Sequence, residues 1–156
     1  TVRSTRICSH QPARLRISSP ARAIGPKAVG RDLVRLYNRF MPLMTIRSNV
    51  SIDEAAVNPL LTACSAKVAG LLGKPESYVM TLFDHVTGMT MGGTGEPTCL
   101  VEVRSVGKLT PEQTRAMSEA FCPLLSEHLG VAQNRVFLNF TDFPGAMWDF
   151  NGSTFD

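Results

Sequence analysis

The side chains able to do chemistry are few, and their spacing excludes more than it offers. Cys8, Cys64, Cys99 and Cys122 contain no CxxC pair and no dense disulfide pattern, so they read as buried thiols in a reducing compartment. His10, His85 and His128 lack the HExxH or HxxxH spacing of a ligand set, and no metal site is expected. Gly92-Gly93 reads as a turn, because no Gly-Lys-Ser/Thr follows to make a phosphate loop. Three other residues have a bland reading beside a chemical one. Pro42 follows a methionine, and while its nitrogen is an amide it has no basicity. Lys74 precedes Pro75 at the end of a helical pattern, where a lysine is ordinarily solvated and complements the helix dipole. Asn139 falls in a strand pattern and could simply face water. Taken singly, each is explained by the bland reading.

The elements that must position these residues come from an internal duplication. From position 42 onward, Leu43, Ile46, Arg47 and Ser48 recur 57 positions later as Leu100, Val103, Arg104 and Ser105. Leu72-Gly73 recurs as Leu129-Gly130, and Val79 as Val136. Each half reads strand, helix, strand, with strands expected at 43–48, 78–84, 99–106 and 135–142. The first helix carries Leu60, Leu61, Cys64, Val68, Leu71 and Leu72 at helical spacing and stops at Gly73; it starts at Asp53, or at Asn58 with Pro59 as first helical residue. In the second, Thr110, Pro111 and Gln113 make a capping box, Met117, Phe121, Leu124 and Leu125 the core stripe, and Gly130 the left-handed stop. Pro123 lies inside it and should bend the axis.

Right-handed crossovers then predict an α+β fold: two β-α-β repeats forming a four-stranded sheet with two antiparallel helices on one face. Val79, Phe83, Val136, Leu138 and Phe140 alternate with Met80, Leu82 and Phe137, so both sheet faces carry large apolar groups. Two helices cover only one of them. Assembly of several copies, sheet to sheet, is the expected cover for the other, although the residues do not count the subunits.

Charge divides the chain sharply. Residues 1–40 hold eight Arg and one Lys against Asp32 alone, a net +8, whereas the remainder is −5. Residues 1–41 form a basic extension without the apolar stretch of a secretory signal, expected to be poorly ordered. A mitochondrial or plastid transit peptide would look like this, and so would translated upstream sequence ahead of a start at Met41. A nucleic-acid arm is disfavoured, since its arginines have no interleaved aromatics. No apolar run suggests a membrane span. The folded domain is expected over 42–156.

Across that domain a family resemblance accumulates in order. Pro42-Leu43-Met44-Thr45-Ile46 with Asn49-Val50, then Gly73-Lys74-Pro75 with Tyr78, and Gly92-Gly93 with Glu96-Pro97 contribute. Ser105-Val106-Gly107-Lys108, Asn139 with Asp142, and the closing Asn151-Gly152-Ser153-Thr154-Phe155 complete it. This set resembles the macrophage migration inhibitory factor and D-dopachrome tautomerase family. The resemblance implies a homotrimer with sites at subunit interfaces, which enolises phenylpyruvate-like aryl α-keto acids and isomerises dopachrome analogues without metal or cofactor. It implies Pro42, as a free N-terminal secondary amine, as the catalytic base. An apolar pocket and a nearby cation would keep that amine unprotonated at neutral pH. By the same carry-over Lys74 anchors the substrate carboxylate, while the Val106 N–H and the Asn139 amide, from a neighbouring subunit, hold substrate oxygens. Leu43, Tyr78, Phe137, Phe150 and Phe155 would wall the pocket.

Departures from the family pattern narrow these expectations. Thr98-Cys99-Leu100-Val101 stands where a CxxC pair is frequent, so thiol-disulfide exchange has no support. Phe137 replaces a tyrosine, and Phe150 stands where a tryptophan is often found, with Trp148 two residues earlier. The alternative to an enzyme is a cytokine-like or regulatory protein with a vestigial pocket. Partners are expected to be a small aryl keto acid and further copies of the chain, with neither nucleic acid nor membrane; a receptor is not legible. The compartment expected is the cytoplasm, with leaderless release outside the cell, or an organelle if the extension is a transit peptide.

Overall fold

A computed structural model describes residues 41–155 of the chain. The basic extension, with Cys8 and His10, therefore lies outside the described residues except for Met41. The main elements are β1 (Pro42–Ser48), α1 (Glu54–Leu72), β2 (Met80–His85), β3 (Cys99–Val106), α2 (Pro111–Leu129) and β4 (Val136–Phe143), followed by a short hairpin of β5 (Asp149–Phe150) and β6 (Ser153–Thr154). The duplication is visible in the element starts: Pro42 and Cys99, Glu54 and Pro111, and the 3-10 turns at Glu76 and Gln133 are each displaced by 57 positions. β1 to β4 form one sheet in the order β2-β1-β3-β4. Each half pairs its own strands in parallel, and the halves meet antiparallel along β1 and β3, with Pro42 opposite Ser105 and Ser48 opposite Cys99.

Side-chain alternation assigns the two faces. Met44, Ile46 and Ser48 of β1 and Cys99, Val101, Val103 and Ser105 of β3 are buried beneath the helices. α1 contributes Leu60, Cys64, Val68 and Leu72 to that core, and α2 contributes Met117, Phe121, Leu125 and Leu129. Leu61, Leu71 and Leu124 pack at its edge. Met80, Leu82 and Phe137 remain exposed on the opposite face, where Arg47 also bonds Glu102 at 2.7 Å. Asp84 and Arg104 extend this to a charged ladder, Arg47–Asp84 and Arg104–Glu102 both at 3.5 Å. Such half-exposed pairs add little stability one by one.

Of the two starts open to α1 the structure takes the earlier, and the starts of β2 and β4 differ from those expected. α1 starts at Glu54 with Asp53 as N-cap, so Pro59 sits within the helix and not at its first position. As the sixth helical residue Pro59 lies past the four unpaired donors of the first turn, so it leaves the Ala55 carbonyl without its intrahelical donor. β2 begins at Met80 and β4 at Val136, because the residues before each are taken by a 3-10 turn, Glu76–Tyr78 and Gln133–Arg135. α1 is also long and apolar enough, by length and composition, to cross a membrane, contrary to the sequence reading. Its Leu60, Cys64, Val68 and Leu72 nevertheless pack onto the sheet. The exposed side of the helix is rich in alanine, which raises its apolar content without adding a second sticky face. The capping box of α2 is complete, Gln113 N–H donating to Thr110 Oγ1 at 3.2 Å and Thr110 N–H to Gln113 Oε1 at 3.0 Å.

Candidate active site

The end of α1 builds the first part of the site. Gly73 takes φ +63°, a left-handed conformation that any other residue would adopt under strain. Its N–H donates to the Gly70 carbonyl at 3.3 Å, and the Lys74 N–H reaches back to Ala69 at 2.9 Å. These two bonds form a Schellman stop, and Pro75 prevents any continuation. Lys74 is thereby turned toward the sheet. Its ammonium donates to Ser105 Oγ and to the Val106 carbonyl, the latter at 3.0 Å. Since Ser105 is the register partner of Pro42, the helix exit and the first residue of β1 converge on one end of the sheet.

The electrostatics of Lys74 are unusual for a surface lysine. Burial lowers its pKa to about 8, because desolvation penalises the charged form. No carboxylate among the described residues pairs with it. Two of its three donors are used by neutral oxygens, which leaves one direction for an anion. A cavity of about 380 Å³ opens beside it, bounded by Gly73, Val106, Gly107, Lys108 and Gln113. Lys108 adds a second cation to the rim.

An aromatic wall closes the other side. Met41, Val106 and Phe155 form a buried cluster flanked by Tyr78 and Trp148. Tyr78 and Phe150 meet edge to face, ring centroids 5.8 Å apart at 74°. The β5–β6 hairpin delivers Phe155, whose N–H donates to the carbonyls of Gly145 at 3.2 Å and Trp148 at 3.3 Å. Pro42, Lys74, Val106, Tyr78, Phe150 and Phe155 are therefore gathered at one end of the sheet. The Val106 N–H, expected to face a substrate oxygen, donates instead to the Met41 carbonyl at 3.2 Å.

Asn139, Phe137 and Leu43 lie elsewhere. Asn139 pairs with Glu102 and Phe137 with Leu100, whereas the row of Pro42 and Ser105 continues to Asp142. Asn139 is thus three residues along and two strands across from Pro42, each roughly 10 Å, and it points to the uncovered sheet face, as do Phe137 and Leu43. Neither Asn139 nor Phe137 can reach Pro42 within the chain. Sequence reasoning missed Ser105 as the acceptor for Lys74 and Trp148 as part of the wall. Ser105 opens one of the quoted motifs, but only the strand register reveals that it faces Pro42. Among the described residues no group of three or more His, Cys, Asp or Glu is arranged to hold a metal ion.

A family profile described as macrophage migration inhibitory factor (MIF) matches residues 41–156. The chain belongs to the macrophage migration inhibitory factor family. A macrophage migration inhibitory factor homolog from Trichuris trichiura is 36% identical over 115 residues, spanning 74% of this chain and 100% of the homolog. The rat macrophage migration inhibitory factor is 33% identical over 118 residues, covering 99% of that protein. Among solved structures, a macrophage migration inhibitory factor homologue from Prochlorococcus marinus is 43% identical with a TM-score of 0.69, covering 73% of this chain and 99% of that one. The Toxoplasma gondii macrophage migration inhibitory factor is 30% identical, also with a TM-score of 0.69, over 72% and 98%. In each case the relative's nearly complete length maps onto the macrophage migration inhibitory factor domain of this chain, so that domain corresponds to a whole relative. The four-stranded mixed sheet with two helices is the fold these neighbours share.

Proposed function

We propose that the domain from Pro42 onward, once its amine is free, is a cofactor-independent keto–enol tautomerase for phenylpyruvate-like aryl α-keto acids, dopachrome analogues included. Family membership supports a tautomerase-superfamily or cytokine-like role. The observation that carries the enzymatic reading is Lys74: a half-buried ammonium with no acidic partner among the described residues, held against Ser105 directly opposite Pro42. A vestigial pocket gives no reason to keep an unpaired cation out of water, where it costs free energy.

In this mechanism the substrate carboxylate binds Lys74 and the aryl ring lies against Tyr78, Phe150 and Phe155. The Pro42 nitrogen takes a proton from the benzylic carbon, the electron pair forms the C=C bond, and the carbonyl oxygen becomes the enolate oxygen. The Val106 N–H and Asn139 of a neighbouring subunit would stabilise that charge as it develops. Protonation of the oxygen gives the enol, and the reverse sequence returns the ketone. In deuterated buffer the chain beginning at Pro42 is expected to exchange the benzylic hydrogen of phenylpyruvate well above the buffer rate and with preference for one of the two positions. Exchange at the buffer rate would refute the activity.

The placement of Asn139 and Phe137 on the uncovered face also supports assembly. We propose a homotrimer, in which this face is covered by neighbouring copies and Asn139 enters the site of the next subunit. Met80 and Phe137, 58% and 60% exposed in the isolated chain, supply apolar area for that contact. Sedimentation equilibrium at micromolar concentration should give three times the subunit mass, and a stable monomer would reject the arrangement.

A further inference from the structure

Residue 41 uses what the pocket has to offer. Met41 is only 9% exposed, its side chain packed on Val106 and Phe155 with Tyr78 and Trp148 around it. Its carbonyl oxygen takes the Val106 N–H. One residue therefore occupies both the apolar wall and the backbone donor that a keto acid would need. The peptide link to Pro42 fixes the position of the carbonyl carbon, but it does not fix the side chain. A methionine has three rotatable bonds and could turn outward at little cost, yet it is turned in.

We propose that Met41 is an internal ligand of this pocket, shutting it by direct occupancy for as long as the chain continues through residue 41. The inference rests on the reading of Pro42, Lys74 and Val106 as one substrate site. It adds a second consequence of the upstream residue, separate from the chemistry of the Pro42 nitrogen: the uncut chain fails to bind as well as to react. A tethered occupant competes at an effective concentration of about millimolar or above, so a small ligand of modest affinity is kept out. Lys74 is not consumed by the plug, since its partners are Ser105 and the Val106 carbonyl. An anion can therefore still be drawn to the rim while the pocket beyond is filled.

The test is binding without turnover. Trans-cinnamate, an aryl carboxylate with no enolisable C–H, is titrated calorimetrically into the uncut 1–156 chain, its Met41→Gly and Met41→Leu variants, and the chain beginning at Pro42. Met41→Gly and the chain beginning at Pro42 should bind at least tenfold more tightly than the uncut parent (about 1.4 kcal/mol), while Met41→Leu, which keeps the bulk, stays with the parent. Equal affinity in the parent and in Met41→Gly overturns the proposal whenever the chain beginning at Pro42 binds. If none of the four binds, hydrogen exchange at the Val106 amide decides. It should be at least tenfold slower in the uncut chain than in the chain beginning at Pro42, and equal rates overturn the plug. Loss of turnover in the cut chain, with binding still gated by Met41, would instead sink the role of Pro42 as base and leave the plug standing.

Discussion

The uncut 1–156 chain is expected to fold, yet to interconvert the keto and enol forms of phenylpyruvate no faster than buffer does. The chain beginning at Pro42 should be active. With Met41 attached, the Pro42 nitrogen is a tertiary amide whose lone pair is delocalised into the Met41 carbonyl, so it is planar and no useful base. No rearrangement of the fold restores that basicity. A positioned general base contributes roughly 10²–10⁴-fold, and the uncut chain should forfeit at least that. Intact mass spectrometry fixes the N-terminus of each preparation before the rates are compared. Equal specific activity from a verified uncut chain would show that Pro42 is not the base.

The second large effect concerns Lys74. Lys74→Ala should raise KM by roughly 10- to 150-fold, the loss of one charge-assisted contact of about 1.5–3 kcal/mol. The pH dependence supplies an independent signature. Burial sets the Lys74 pKa at about 8, so the side chain is an ammonium below that pH and loses its proton as pH rises through it. KM for a carboxylate substrate should therefore be flat on the acid side and climb up to about tenfold per pH unit on the alkaline side. Lys74→Ala should remove this dependence, and Lys74→Arg should carry it beyond the working range, because a guanidinium stays charged. An unmoved profile with unchanged KM in Lys74→Ala would place this lysine outside the site.

The halves of the molecule were legible because a duplication states the same instructions twice. Gly73 and Gly130 both end a helix in the left-handed conformation, and the capping box of α2 lies open in Thr110-Pro111-Glu112-Gln113. Where local signals competed, the sequence left two starts open: Pro59 suggested a later one, but Asp53 caps the helix and the apolar spacing from Leu60 onward continues past the proline. The candidate site was read from family likeness and not from physics. Neither the spacing of Lys74 nor that of Ser105 says that they meet; that follows from the stop at Gly73 and from the antiparallel register. Trp148 gave no periodic signal, being placed by a short turn at Gly145–Met147 and not by a regular element. The occupancy by Met41 was illegible for a further reason, since a residue just before a strand carries no pattern of its own.

The duplication also shows how lightly chemistry was laid over the scaffold. Position 99 repeats Pro42 as Cys99, and position 131 repeats Lys74 as Val131, and both are buried in the core. The second copy thus keeps the architecture without the proline or the lysine of the proposed site.

Pro42 opens β1 opposite Ser105, at a place where proline has no N–H to contribute to the ladder. Hydrolysis of the bond before it would therefore cost the sheet no donor from β1, while releasing the Val106 N–H from the Met41 carbonyl and the Met41 side chain from Val106 and Phe155. Every described strand and helix lies on the far side of that bond. In the proposed mechanism such a cut empties the Met41 position and turns one acylated nitrogen into a basic one, so a single added water molecule would separate an inert body from an enzyme.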